Sequence, residues 1–418
     1  MMFKLAWSGI RENYSRALFY GVTFVLTTMF IFIFFNIACS EMVGMTFINS
    51  QNNLVTYLSV FVMVICIIVI FFANDFYVKK KSKQMAIRLV CGATFLQITN
   101  YLLSSTLFIF MCAVPLGVLL ALATMTFLNT YILGMFGINT ILGITQEGVY
   151  VTIIILAFVV LWCMLLNVGY AYRSSVKSLL TNDITVEEIR LGSPLRLKLK
   201  GTKYIYLLMF VLPIPLFYVY GHEPSSIIVL SVFGMIGLYG AWNEIFMPYL
   251  NRLVIKHIDN QEKVVYIGFM RRDFVLMKKN LIMFVISTIL LIALMVSHLD
   301  DSMEVVLCFV SFLVIHCLLS LTVVFRLLVE VLGRKNVFLT LSRIGYEQRL
   351  LRSIIKKEVV IFFCILMFVC LIYIGNILQS LYVCRLISFN FVLMVLLIFI
   401  SPLILCGLIV LFSYKKLI

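Results

Sequence analysis

The stretch KKKSKQMAIRLVCGATFLQITNYLL, residues Lys79–Leu103, lies between two long apolar runs and decides how the chain is arranged. Four of its first five residues are lysines, a charge density that holds the end of an apolar run at the cytoplasmic surface of a membrane. The apolar residues that follow recur at helical spacing and end at Gly92, which can adopt the left-handed conformation that stops a helix. The stretch therefore predicts a short amphipathic helix that lies under the membrane.

A second helix is predicted to begin directly after this stop. Thr94 and Gln97 have the spacing of a capping box, in which each side chain bonds to the backbone N–H of the other residue. A helix that begins at Thr94 runs straight into the next apolar run. Two helices joined by a tight turn at Gly92 would pass a displacement from a soluble partner into the membrane.

The composition excludes a soluble domain, because 63% of the 418 residues are hydrophobic and only 12% are charged. Windows of about twenty apolar residues identify candidate membrane spans. Ten such spans are predicted, at 17–38, 54–76, 104–127, 149–170, 204–220, 226–246, 280–297, 305–325, 359–378 and 389–413. The predicted fold class is an all-α integral membrane protein.

The net charge of +15 is distributed unevenly. With the N-terminus inside, the predicted inner segments hold all but one of the 33 lysines and arginines, and the exception is Arg385. This pattern predicts that both termini are cytoplasmic. The basic charge then faces anionic membrane lipid, so no nucleic-acid partner is expected.

A degenerate echo of the first stretch occurs at 341–363, LSRIGYEQRLLRSIIKKEVVIFF. When Gly345 is aligned with Gly92, the next helix again begins just after the glycine, although Glu347 replaces the capping threonine. Two copies at corresponding places indicate an internal repeat. The predicted organisation is a four-span module with an N-terminal interfacial helix, a linker, a central helix pair and a second four-span module, at 1–170, 171–203, 204–246 and 247–418.

The segment AIRLVCGATFLQI, residues 86–98, resembles the signature of FtsX-like ABC transporter permeases, in which a basic and apolar turn, a Gly-Ala pair and a following helix lie between spans. Ten spans in two modules separated by a helix pair resemble the branch of that family typified by BceB. One departure concerns residues 298–304, HLDDSME, where BceB-like permeases carry a large extracellular domain. The substrate is therefore less well indicated than the fold.

The resemblance implies the permease subunit of an ABC transporter in a bacterial cytoplasmic membrane, not an enzyme. A separate cytoplasmic ATPase, acting as a dimer, would bind ATP and Mg²⁺, since this chain lacks the sequence GxxxxGK[ST] that cradles phosphates. The commonest role of the ten-span branch is resistance or immunity to antimicrobial peptides. A sensor histidine kinase is a further candidate partner.

Two other functions stay open at this point. A regulatory scaffold would transport nothing and would hold a sensor kinase or control a cell-wall enzyme, as FtsX-like proteins do. A permease that extracts or exports lipids or other hydrophobic compounds would suit a chain with almost no outer domain. Substrate-stimulated ATP hydrolysis would favour transport over the scaffold.

The contact with the ATPase is predicted at the two glycine turns, mainly at 84–95 and more weakly around 343–349. Met85 and Leu89 lie one helical turn apart and are expected to enter a groove on the ATPase, the usual way in which an amphipathic helix docks. The predicted coupling residues are Gln84, Met85, Arg88, Leu89, Gly92, Ala93, Phe95, Arg343, Gly345 and Arg349.

Few residues suggest other chemistry, and no catalytic residue is predicted. His316 is the one histidine deep in a predicted span, and it is interpreted as a histidine hydrogen-bonded to a neighbouring helix. The acidic residues within 298–304 are too close together in sequence to surround a metal ion, so no metal site is predicted.

Overall fold

The computed structural model describes residues 14–40, 53–132, 143–173, 202–220, 224–298 and 302–415. This part of the chain is almost entirely helical and contains no strand. Its α-helices are α1 (Tyr14–Ala38), α2 (Asn53–Val90), α3 (Phe95–Phe127), α4 (Gln146–Arg173), α5 (Thr202–Val211), α6 (Pro213–Tyr220), α7 (Pro224–Ala241), α8 (Met247–Lys256), α9 (Gln261–Ser297), α10 (Ser302–Gly333), α11 (Lys335–Arg343), α12 (Gln348–Val383) and α13 (Phe389–Lys415). Two π-helical turns, Leu128–Ile132 and Trp242–Phe246, extend α3 and join α7 to α8.

Ten helical segments of the described residues are long and apolar enough to cross a membrane. They occupy Ala17–Ala38, Val55–Asp75, Phe95–Thr130, Gln146–Tyr172, Thr202–Tyr220, Ser226–Lys256, Asn280–Ser297, Glu304–Leu328, Gln348–Val383 and Phe389–Tyr414. Each coincides with one predicted span, so the prediction of an all-α membrane protein with ten spans is confirmed. The third, sixth and ninth are longer than predicted, because the polar residues at their ends continue the helix.

The short helix that was predicted to lie under the membrane is not a separate element. Instead, α2 runs without interruption from the apolar residues Val55–Asp75 through the lysines to Val90. Lysine, glutamine and arginine are good helix formers, and no glycine or proline separates them from the span. The part of α2 after Asp75 is therefore a continuous extension of the span, about 22 Å long at the rise of an α-helix.

The helices fall into two compact units, and the first consists of α1–α4 together with residues 302–307. The central helix of this unit is α1, which packs against α2, α3 and α4. Gly117 of α3 lies against Thr28 of α1 with no room for a side chain. At the other end of α1, Asn36 Oδ1 accepts a hydrogen bond from the Thr145 N–H at 3.1 Å. These contacts fix α1 as the centre of the unit.

The second unit contains the remaining helices, including the helix pair that separates the two four-span segments in the sequence. Gly237 of α7 packs against the backbone of Phe210 in α5, and Gly234 packs against the ring of Tyr373 in α12. Small residues of this kind let helices approach closely. The fifth span is interrupted before Pro213, which begins α6.

His316 lies in α10 and is completely buried. Its Nε2 lies 2.8 Å from Thr288 Oγ1 in α9, and its Nδ1 lies 2.7 Å from the carbonyl oxygen of Phe312. The interpretation of His316 as a histidine hydrogen-bonded to a neighbouring helix is confirmed.

Three regions discussed in the sequence analysis lie wholly or partly outside the described residues. They are the predicted N-terminal interfacial helix up to residue 13, the linker at 174–201 and the acidic segment at 299–301. Within the described residues, no group of three or more histidines, cysteines or carboxylates is placed to hold a metal ion.

Candidate functional site

The first glycine turn ends α2. Gly92 has φ of +88°, a conformation that side chains of L-residues disfavour and that glycine adopts freely. Its N–H donates to the Leu89 carbonyl at 3.0 Å, and the Ala93 N–H donates to the Arg88 carbonyl at 2.9 Å. These two bonds satisfy carbonyls that the end of a helix leaves free, in the arrangement of a Schellman motif. The prediction that Gly92 stops the helix is confirmed.

The next helix begins at once. Thr94 has an extended backbone and is the N-cap of α3, which starts at Phe95. The Thr94 N–H donates to Gln97 Oε1 at 3.1 Å. The predicted capping box is therefore present. Only Cys91 to Thr94 separate the extension of span two from the helix that contains span three, so the two are closely joined.

The second glycine turn has the same construction. Gly345 has φ of +108°, its N–H donates to the Ser342 carbonyl at 3.2 Å, and the Tyr346 N–H donates to the Leu341 carbonyl at 3.1 Å. Glu347 is the extended N-cap of the following helix α12. In both copies the preceding helix ends two residues before the glycine in sequence, and the following helix begins three residues after it. The echo in the sequence is therefore also an echo in the local structure.

The predicted coupling residues differ in their exposure. Gly92, Phe95, Arg343, Gly345 and Arg349 are exposed, whereas Gln84, Arg88, Leu89 and Ala93 are partly buried. Met85 is completely buried. This side chain therefore packs inside the first unit and is not at the surface, and its contact with the ATPase stays a prediction.

Exposed apolar side chains flank both turns, and the sequence analysis gave them no role. Ile87, Val90 and Leu96 beside the first turn are 60%, 69% and 68% exposed, and Ile344 at the second is 70% exposed. Apolar surface that is exposed beside an ordered turn is typical of a contact with another protein. These residues, rather than Met85, form the apolar part of the candidate surface.

A buried lysine lies on the same extension of α2. Lys81 is 2% exposed, and its Nζ lies 4.4 Å from the centre of the Tyr77 ring and 4.8 Å from that of the Tyr101 ring. The Arg88 guanidinium lies 3.9 Å from the centre of the same Tyr101 ring. Lys81 Nζ has no hydrogen-bond partner. Among the described residues, no carboxylate lies within ion-pair distance of Lys81 or Arg88.

These surroundings disfavour the positive charge of Lys81. Burial, and after it the positive charge of Arg88, lowers the pKa of Lys81 from 10.5 to about 7. Burial also raises the pKa of Tyr77 above its ordinary value, so that its hydroxyl stays neutral. The negative faces of the tyrosine rings attract a cation, but they do not replace a carboxylate.

The second unit contains a buried arginine that the sequence analysis did not identify. Arg334 lies at the junction of α10 and α11 and is 1% exposed. It forms ion pairs with Asp273 of α9 and Glu358 of α12, and it donates to the Tyr414 hydroxyl of α13 at 3.1 Å. Its guanidinium also lies 4.6 Å from the centre of the Phe269 ring. One side chain thus connects three helices to the junction.

The two buried cations hold the same position relative to the two turns. Lys81 lies eleven residues before the glycine of its turn, and Arg334 does the same. Glu358 lies thirteen residues after its glycine, and the corresponding residue of the first copy is Ser105. The first unit therefore keeps the buried cation and has a neutral hydroxyl in place of a carboxylate. This alignment is also the signal that could have identified Arg334 from the sequence.

A second ion pair near the second turn is exposed. Lys357 of α12 lies 2.8 Å from Glu262 Oε1 at the start of α9, and the Ser353 hydroxyl donates to the same oxygen at 2.6 Å. The hydrogen bonds from Lys357 and then Ser353 lower the pKa of Glu262 below its ordinary value. Because the Lys357 side chain is 49% exposed, this pair contributes little to stability.

Comparison with known protein families finds a match to one segment of the chain. Residues 56–179 match the family described as FtsX-like permease C-terminal. The match contains the extension of α2, the turn at Gly92 and the two spans that follow it. No curated protein matches the chain significantly.

Proposed function

Since residues 56–179 are an FtsX-like permease domain, we propose that this chain is mechanically coupled to a separate cytoplasmic ATPase as the membrane subunit of an ABC-type transporter. FtsX-like permeases are membrane components that generally pair with such an ATPase and are not catalytic themselves. The chain is accordingly a multi-pass membrane protein, and its ATP and Mg²⁺ belong to the ATPase, which we expect to act as a dimer.

The observation that carries the proposal is the unbroken course of α2. One helix runs from the apolar span Val55–Asp75 to Val90 and ends in an ordered turn. A helix transmits a displacement of its end along its axis, because every turn is hydrogen-bonded to the next. Movement of a partner that is bound at Gly92 therefore reaches span two directly, and it reaches span three through the short connection to α3.

The proposed docking surface consists of the first glycine turn and its exposed neighbours. Ile87, Leu89, Val90, Phe95 and Leu96 form its apolar part around Gly92, and Arg88 contributes charge at its edge. The turn at Gly345, with Arg343 and Arg349, forms a second and weaker contact. Gln84 and Ala93 lie near the first turn and are partly buried, and Met85 is buried inside the first unit.

The proposed role is resistance or immunity to antimicrobial peptides in a bacterial cytoplasmic membrane, with both termini in the cytoplasm. The BceB-like arrangement of ten spans supports this role, and a sensor histidine kinase is the further partner that it suggests. Hypersensitivity of a strain that lacks this chain to one class of peptide, reversed by the parent gene, tests the role. Peptide-stimulated ATP hydrolysis would argue against a scaffold that transports nothing.

The coupling is tested with the ABC ATPase that we expect an adjoining gene to encode. Val90→Asp and Leu89→Asp place a charge in the apolar surface, and we expect each to reduce ATPase binding and stimulation at least tenfold. Ile258→Asp is the matched control, because Ile258 is equally exposed, at 68%, in the turn between α8 and α9. All three chains should insert into the membrane in the same amount.

Two results would contradict the proposal. One is that Val90→Asp and Leu89→Asp bind and stimulate the ATPase as the parent does. The other is ATP hydrolysis by the purified chain alone, since it lacks a phosphate-cradling sequence.

A further inference from the structure

Among the residues that the structure describes, no carboxylate pairs with the buried cation of the first unit. An ammonium group removed from water without a carboxylate or phosphate beside it destabilises the fold, so buried charges are normally paired. Lys81 is 2% exposed and has no hydrogen-bond partner, and Arg88 places a second cation on the ring of Tyr101 that Lys81 also contacts. Two neighbouring cations without a described carboxylate form a centre of positive potential inside the first unit.

The second unit shows what surrounds the buried cation at the same position there. That cation is Arg334, and it forms ion pairs with the carboxylates of Asp273 and Glu358. In the first unit the residue that corresponds to Glu358 is Ser105, which bonds to the Leu102 carbonyl at 3.0 Å. At this pair of positions the repeat therefore keeps the cation and replaces the carboxylate of Glu358 with a hydroxyl.

We propose that Lys81 and Arg88 bind the phosphate group of an anionic lipid, which supplies to the first unit the negative charge that carboxylates supply to the second. A phosphate group has several acceptor oxygens and accepts hydrogen bonds from an ammonium and a guanidinium at once. Lys81 is buried and Arg88 is partly buried, so Arg88 is the more accessible of the two cations. This inference rests on the geometry of the first unit and does not depend on the proposed function.

The position of the site favours a lipid as the source of the phosphate. Lys81 lies six residues beyond Asp75, the last residue of the apolar span, which corresponds to about 9 Å along the helix. The headgroup layer of a bilayer occupies roughly 5–8 Å on each side of the hydrocarbon core. Lys81 therefore lies near the level of the lipid phosphates at the inner surface.

The binding is tested by native mass spectrometry of the full chain, purified in neutral detergent and titrated with phosphatidylglycerol. We expect Lys81→Gln to weaken the tightest phosphatidylglycerol site at least tenfold. Lys278→Gln is the matched control, because Lys278 also lies over a tyrosine ring, at 3.6 Å from Tyr239, and already has a partner in Asn243 Oδ1 at 2.7 Å. Lys278→Gln should bind phosphatidylglycerol as the parent does.

A second pair of variants keeps the test decisive if Lys81→Gln folds poorly. Ser105→Glu introduces the acid that the second unit has, and it should neutralise Lys81 and remove the tight phosphatidylglycerol site. Ser105→Gln has nearly the same shape without the charge and should retain the site. Loss of binding in the charged variant alone supports the proposal, whereas equal binding by both variants contradicts it.

Two other probes identify the source of the phosphate. Phosphatidylcholine should bind at least tenfold more weakly than phosphatidylglycerol, because its positively charged choline group is repelled by Lys81 and Arg88. Inorganic phosphate at millimolar concentration should not displace phosphatidylglycerol from the parent chain. Displacement by inorganic phosphate would assign the site to a free anion and overturn the lipid assignment, and an unchanged phosphatidylglycerol affinity in Lys81→Gln would overturn the site itself.

Discussion

Gly92 and Gly345 occupy the same position in two copies of one helix end. Each has a positive φ, and each N–H donates to the carbonyl three residues before it, while the following N–H donates to the carbonyl five residues before its own position. Between residues 86–98 and the aligned segment 339–351 the glycine is the single identity. The repeat has thus kept a backbone conformation and changed nearly every side chain around it.

We expect Gly92→Ala and Gly345→Ala each to lower the free energy of unfolding by about 1–2 kcal/mol, the cost of placing an L-residue in the left-handed region. Both glycines face open space, so the cost comes from the backbone and not from a clash. Gly169→Ala is the control, because Gly169 also faces open space but has an ordinary helical conformation. Thermal unfolding in detergent should show a loss for the first two variants and none for the third.

Much of this fold could be predicted from the sequence, because apolar length, glycine stops and capping pairs act locally. The ten spans and the turn at Gly92 depend on nothing beyond a few neighbouring residues. The sequence did not indicate the continuity of α2, because a cluster of lysines commonly marks the end of a span, although lysine itself favours helix.

The Arg334 cluster could not be predicted from local patterns. Its members come from α9, the α10–α11 junction, α12 and α13, and nothing in any one segment indicates that they meet. Similarly, Lys81 is one of four lysines in the same short run, and nothing in the local sequence indicates that it is buried. Aligning the two glycines does indicate that Lys81 and Arg334 hold corresponding positions in the two copies.

The positive-inside pattern predicts the orientation of the chain. In a variant without its eleven native cysteines, a membrane-impermeant thiol reagent should label cysteines introduced at Asn52, Glu147 and Asp300. It should not label cysteines at Lys80 or Lys335 until the membrane is permeabilised. Labelling at Lys80 in intact cells would contradict the predicted orientation of all the spans.

Arg334→Met should destabilise the chain by about 3–5 kcal/mol, because it leaves two buried carboxylates without a counter-charge. Asp273 and Glu358 are 3% and 0% exposed, so water cannot replace the guanidinium. Lys357→Met removes the exposed pair with Glu262 and should cost no more than about 1 kcal/mol. Equal losses of thermal stability in the two variants would show that Arg334 is not buried as described.

Arg385 adopts φ of +58° at the other end of α12, where its N–H donates to the Tyr382 carbonyl at 2.9 Å. This is the position that glycine holds in the two inner turns, and arginine is strained there. Arg385→Gly should therefore raise the free energy of unfolding by about 0.5–1 kcal/mol. Arg352→Gly, in the exposed interior of the same helix, should lower it by about 1 kcal/mol. A loss of stability in Arg385→Gly would contradict the left-handed conformation.

Lys81→Met should stabilise the chain in neutral detergent without anionic lipid, and the gain should depend on pH. The pKa of Lys81 is about 7 in the folded chain, against 10.5 for an ordinary lysine. Below pH 7 both the folded and the unfolded chain carry the proton, and the folded chain bears the full cost of a buried charge. As pH rises from 7 to 10.5 the folded chain releases the proton first, so the stability of the parent rises.

The gain from Lys81→Met should accordingly be largest at pH 6, on the order of a few kcal/mol, and should decrease steadily above pH 7. Lys278→Met should show no such trend, because Lys278 is only partly buried and has a hydrogen-bond partner. Melting temperatures between pH 6 and pH 9 measure both variants against the parent. Added phosphatidylglycerol should reduce the gain at pH 6, since a bound phosphate stabilises the charged lysine of the parent and has nothing to bind in the variant. A gain that stays constant across this pH range would show that Lys81 does not titrate, and its burial would then need another explanation.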